Sequence, residues 1–96
     1  MKICFIGLGS IGKRHLRNLR EILQEKSICY RIDALRSRDS ELEPDINGSI
    51  SSIYMSMDEL PSDYDIVFVT NPTSLHYETI RLAMNKTKHM FILNFL

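Results

Sequence analysis

Apolar residues along this chain fall into short continuous runs separated by segments of helical period. Ile3 to Ile6 is a β-rich run that ends at Gly7. It is too short for a helix and apolar on both faces, as a central parallel strand covered by helices must be. From Ser10 or Gly9 to about Glu25 the spacing turns helical, with Ile11, Leu16, Leu19 and Leu23 on one side and Arg14, Arg17, Arg20 and Glu21 on the other. Ile28 to Leu35 predicts a second strand, in which Tyr30, Ile32 and Ala34 alternate with Arg31 and Asp33 and imply one partly exposed face. Residues 37–49 are polar and carry Pro44 and Gly48, so a loop or one helical turn near Ser40 to Leu42 is expected there. Ile50 to Met55 predicts a weak third strand, and Met57 to Leu60 a short turn stopped by Pro61. Asp65 to Thr70 predicts the strongest strand, ended by Asn71 and Pro72 because proline cannot donate to a ladder. Thr73 or Ser74 then caps a helix to about Asn85, with Leu75, Thr79, Leu82 and Ala83 as its apolar stripe. His89 to Leu93 reads as a last strand.

Strands alternating with helices predict an α/β fold, a parallel sheet of about five strands with right-handed crossovers and flanking helices. The length suits one domain over residues 1–96. Charge narrows the partners: 12 basic and 12 acidic side chains cancel, so no net field draws the chain to nucleic acid or to an anionic membrane. Cys4 and Cys29 sit in apolar runs and are expected as buried free thiols. Together with His15, His76 and His89 they show no metal-ligand spacing. No apolar stretch approaches the ~20 residues of a membrane span, and no leader pattern is evident, so the expected location is the cytoplasm.

The candidate chemistry lies in Gly7-Leu8-Gly9-Ser10-Ile11-Gly12, which fits G-x-G-x-x-G between a predicted strand and a predicted helix. Gly7 permits a tight turn, Gly9 lets a pyrophosphate approach the backbone, and Gly12 lets the helix pack close to the strand. Ser10 and Ile11 place main-chain N–H donors at the positive end of the helix, where a diphosphate is held. The alternatives are a ligand-free glycine turn or the related loop of a methyltransferase. An acidic residue at the end of the second strand would accept the ribose hydroxyls of NAD. Here Leu35-Arg36-Ser37-Arg38 follows about 24 residues after Gly12 instead. An arginine such as Arg36 pairs with a 2′-phosphate and Ser37 adds a hydrogen bond, which favours NADP over NAD. Asp33 and Asp39 are close enough in sequence to keep NAD open, and the arginines could equally be solvated loop charges.

Gly7 to Leu19 and Asp65 to Leu82 together resemble the N-terminal domain of the Gfo/Idh/MocA oxidoreductases, and the resemblance extends over essentially the whole chain. Its specificity comes from combining the glycine loop with the Asn71-Pro72-Thr73 turn, His76 and Lys88-His89. The resemblance implies a Rossmann domain that binds NAD(P), with Thr70, Asn71, Pro72 and Thr73 near the nicotinamide ribose. His76 either lines that site or holds local structure. Members act by hydride transfer on hydroxyl or carbonyl groups, commonly of sugars or cyclitols.

Two departures follow from the same resemblance. Leu93-Asn94-Phe95 stands where members carry Glu-Lys-Pro, and the C-terminal substrate domain is absent from the 96 residues. The expectation is therefore a truncated member that does not turn over substrate as this isolated chain. It could instead be half of a split enzyme, completed by a separately encoded substrate domain, or an interaction or regulatory module that keeps the fold without the ligand. The apolar tail from Met90 to Leu96 would need cover, so a homo-oligomer through the C-terminal strand is expected.

Overall fold

The computed structural model describes residues 1–93, apart from the Thr73 side chain. Its elements are β1 (Lys2–Ile6), α1 (Ser10–Glu25), β2 (Arg31–Leu35), α2 (Pro44–Asn47), β3 (Ser52–Tyr54), β4 (Tyr64–Val69), α3 (His76–Ala83) and β5 (Thr87–Ile92), with 3₁₀ turns at Met57–Glu59 and Thr73–Leu75. The five strands form one sheet in the order β3-β2-β1-β4-β5, and every pair is parallel. Strand order therefore reverses beside β1, between β2 and β4.

Both faces of β1 are buried, as its unbroken apolar run predicts. Ile3 and Phe5 pack with Leu16 and Leu23 of α1 and with Ile32, Ala34 and Ile46. Cys4 and Ile6 face the other way, onto Leu60, Val67, Val69 and Ala83. A column of stacked rings, Phe5 on Phe68 at 4.7 Å and Phe68 on Phe91 at 5.5 Å, crosses β1, β4 and β5. α1 ends with Ser27 at φ 55, the Ser27 N–H on Gln24 O at 3.1 Å and the Ile28 N–H on Leu23 O at 2.9 Å. That is a Schellman close built on serine where glycine is usual.

Several expectations change. β2 begins at Arg31 rather than Ile28, because the helix close takes up residues 26–28. Cys29 is consequently exposed, and only Cys4 is buried. The polar crossover holds its single helical turn at Pro44–Asn47 and not near Ser40 to Leu42. Proline supplies the fixed φ of a first helical position, where its missing N–H is no loss. This turn is tied to α1 by Lys13–Glu43 at 2.9 Å, Arg17–Asp45 at 2.7 Å and Arg17–Glu43 at 3.1 Å. Lys13 and Arg17 hold the Glu43 carboxyl below its ordinary range, and Arg17 does the same for Asp45. Finally, α3 buries His76, Thr79 and Ala83 and leaves Leu75 and Leu82 exposed at 51% and 39%. Thr79 and Ala83 of the expected stripe are thus buried and Leu75 and Leu82 are not; a 3₁₀ turn precedes the helix, and Leu75, not Thr73 or Ser74, occupies its N-cap.

The partly exposed face expected of β2 holds at Arg31 and fails at Asp33. Asp33 is fully buried, and Tyr64 Oη donates to its Oδ2 at 2.7 Å while Arg31 Nε donates to Oδ1 at 3.1 Å. Burial, and then its bond to Asp33, push the Tyr64 hydroxyl above its ordinary range. Burial also pushes the Cys4 thiol up to about 12, so it stays protonated and unreactive. Tyr64→Phe removes the donor and leaves a buried carboxylate oxygen unpaired. We expect a loss of about 1–3 kcal/mol, read by urea unfolding. Wild-type stability in that variant would mean the pair is idle.

Candidate functional site

The C-terminal ends of β1, β2 and β4 meet where strand order reverses, which is where open α/β sheets bind ligands. The glycine loop leaves β1 at this point and is held from both sides. The Gly7 N–H donates to Leu35 O at 2.9 Å, and the Thr70 hydroxyl donates to Gly7 O at 2.6 Å. Gly7 has φ +98, and a Cβ there would stand 2.8 Å from the Asn71 nitrogen. A Cβ on Gly12 would stand 2.6 Å from Gly7 O and 2.8 Å from Thr70 Oγ1. Around Gly9, by contrast, a Cβ would meet nothing within 4 Å. Two glycines are thus required by protein contacts, and the third borders open space.

α1 starts at that open glycine. Its first intrahelical bond runs from the Lys13 N–H to Gly9 O at 3.0 Å, and no side chain caps the end. The N–H groups of Ser10, Ile11 and Gly12 therefore lack helical carbonyls and sit at the positive end of a 16-residue helix with no acidic residue in its first turn. A diphosphate is the kind of group this arrangement fits.

A cleft of about 400 Å³ opens in front of the loop, lined by Gly7, Leu8, Gly9, Lys13, Arg36, Ser37, Arg38, Ser40 and Pro72. It adjoins a more apolar hollow of about 180 Å³ among Ile6, Leu35, Met55, Pro72 and Leu75. Ser37 and Pro72 border both spaces. Arg36 also reaches both, but its residue is only 9% exposed, and its guanidinium donates to Ser40 O at 2.8 Å and Ser40 Oγ at 2.9 Å. Of the carboxylates that could have served NAD, Asp33 is buried against Tyr64, and Asp39 lines an adjoining hollow with Glu41.

On the β4 side the residues hold one another. Thr70 lies beneath the glycine loop, its N–H on Ile6 O at 2.9 Å. Asn71 Nδ2 donates to Thr79 Oγ1 at 2.6 Å, while its buried Oδ1 has no partner among the described residues. Turning the amide over would only move the vacancy to nitrogen. His76 is buried, with Nε2 2.8 Å from Asn71 O. A carbonyl only accepts, so Nε2 carries the proton. This bond ties the turn to α3, and His76 is not among the residues that line the cleft. Thr73 is placed in its 3₁₀ turn by its main chain alone. Asn94 and Phe95, where the resemblance expects Lys and Pro, lie outside the described residues. In β5, Phe91 and Ile92 are exposed at 52% and 43%. No described helix is long and apolar enough to cross a membrane.

Lys13, Arg38, Ser40 and Met55 line these spaces without having been singled out as site residues from sequence. Lys13 had a usable signal, since it follows Gly12 directly on the first turn of α1. Ser40 had none, because its place depends on the fold of the loop.

A search among curated proteins returns no match. A family profile described as an oxidoreductase family with an NAD-binding Rossmann fold matches residues 1–92. The glycine loop, the parallel sheet and the reversal beside β1 are what that description requires, and the chain belongs to the Gfo/Idh/MocA oxidoreductase family as its NAD-binding Rossmann domain.

Proposed function

We propose that this domain holds a nicotinamide dinucleotide across the glycine loop, prefers NADP(H) to NAD(H), and serves an oxidoreductase acting on hydroxyl or carbonyl groups of sugars or cyclitols. The observation that carries the reading is the open space at Gly9 beside the N–H groups of Ser10, Ile11 and Gly12. Those groups bind the diphosphate, with Gly7 and Gly12 shaping the loop. The apolar hollow beside Met55 and Leu75 suits an adenine ring. Thr70, Asn71, Pro72, Thr73 and His76 form or brace the opposite wall. When bound, the nicotinamide accepts or donates the hydride; the chain's own residues hold and orient it.

The preference rests on charge. The cleft carries Lys13, Arg36 and Arg38 with Ser37, and no carboxylate lines it. A 2′-phosphate adds two negative charges to meet those cations, whereas the paired hydroxyls of NAD would find no acidic acceptor. The substrate class is carried by family membership alone. The test is calorimetric titration of the purified chain with NADPH and, separately, NADH. Saturable binding of both, tighter for NADPH, is expected. No binding of either at millimolar concentration would overturn the reading in favour of a module that keeps the fold without its ligand.

A further inference from the structure

Resting on that proposed dinucleotide site, we infer that Arg38 is the cation that meets the 2′-phosphate, and that Arg36 and Ser40 form a latch that presents it. Sequence position favours Arg36, the first residue after β2. The geometry assigns Arg36 differently. Its main-chain N–H extends the ladder to Tyr54 O at 2.9 Å, and its guanidinium turns onto Ser40, four residues on, with two hydrogen bonds of 2.8 and 2.9 Å. Both acceptors belong to one residue, so the loop from 36 to 40 is closed at its base by a forked contact. A guanidinium offers its donors in a fixed plane, and two are already directed at Ser40.

Closing the base sorts the charges of the loop. Arg38 at the tip is exposed, makes no ion pair or hydrogen bond among the described residues, and lines the cleft with Gly9 and Lys13. Asp39 and Glu41 line a different hollow, with Leu42 and Pro44, that meets the cleft at Arg36 and Ser40. Lys13 is already paired with Glu43 at 2.9 Å. The cation of the cleft without a protein partner among the described residues is therefore Arg38, and neither acidic neighbour lines the cleft itself. Releasing the latch would free the loop to rotate, mixing Asp39 and Arg38 at the cleft. Selectivity would then depend on Ser40 through the loop that carries Arg38; Arg36 and Ser40 are positioning residues.

The test measures affinities of the full chain for NADPH, NADH and adenosine 2′,5′-bisphosphate, in wild type and in Arg38→Ala, Ser40→Ala, Ser40→Thr and Arg36→Lys. Arg38→Ala should lower the NADPH-to-NADH affinity ratio by about tenfold or more, as loss of a charge-assisted contact does, with a parallel loss for the bisphosphate. Ser40→Ala and Arg36→Lys should each lower the ratio several-fold, and Ser40→Thr, which keeps the hydroxyl, should restore it. A ratio that survives Arg38→Ala but collapses in Arg36→Lys would make Arg36 the direct ligand and overturn the assignment. An unchanged ratio in Ser40→Ala would overturn the latch. Equal wild-type affinity for NADPH and NADH would overturn the inference while leaving the dinucleotide site standing, whereas binding of neither would remove both.

Discussion

Gly9→Val is expected to leave the domain folded and to weaken dinucleotide binding by about a hundredfold or more. Gly9 has φ −76 and ψ −168, which any L-residue adopts, and a Cβ there meets no atom within 4 Å. Nothing in the folded protein resists the substitution, so the thermal midpoint should stay close to that of the wild type. The added methyl groups enter the space in front of the Ser10, Ile11 and Gly12 N–H groups and keep a diphosphate from reaching them. A thermal melt together with an NADPH titration reads both halves. Full affinity in the folded variant would mean that the diphosphate does not cross at Gly9.

Gly12→Val should act in the opposite way, destabilising the fold itself whether or not ligand is present. At an exposed helical position, replacing glycine adds up to about 1 kcal/mol of stability through propensity. Here the new Cβ would stand 2.6 Å from Gly7 O, a main-chain atom held in turn by Thr70 Oγ1 at 2.6 Å. Neither can withdraw alone, since Thr70 is bonded by its N–H to Ile6 O at 2.9 Å. Relief requires α1 to move off β1, which opens the contacts of Leu16 with Ile3 and Phe5. Overpacking of this kind costs about 3 kcal/mol or more, a large share of the roughly 5–15 kcal/mol of a small domain. At about 4–8 °C per kcal/mol, the midpoint falls by about 12 °C or more. A variant that melted with the wild type would show that helix and loop are not in the contact described. The two glycines thus separate binding from folding within one six-residue motif.

Sequence pattern exposed the fold wherever burial alone decides it. β1, α1 and β4 were readable because each has an apolar surface fixed by its period, and the glycine motif was readable because its geometry is local. The pattern misled where a polar side chain is buried with a partner. Asp33 reads as solvent-facing by hydropathy, yet Tyr64, 31 residues away in sequence, makes it an interior residue. His76 turns inward on α3 beside Thr79 because Asn71 supplies the two with a carbonyl and an amide, and Leu75 and Leu82 are left on the exposed side. The cofactor loop failed for a related reason. The identity of Arg36 was visible, but whether its donors face a ligand or Ser40 depends on a loop conformation that no periodicity encodes.

The Tyr64–Asp33 bond has a further consequence, for alignment of the strands as the sheet assembles. β1 is apolar on both faces, so its own side chains would tolerate a neighbouring strand slipped by a residue. Side chains alternate with period two, and such a slip turns Asp33 to the face covered by α1, away from the tyrosine. Only the register pairing Cys4 with Asp33 brings the carboxylate to that hydroxyl. One polar pair in an oily interior thus penalises the near-miss alignments that hydrophobicity would tolerate, and it does so at the strand that leads into the loop of residues 36–40.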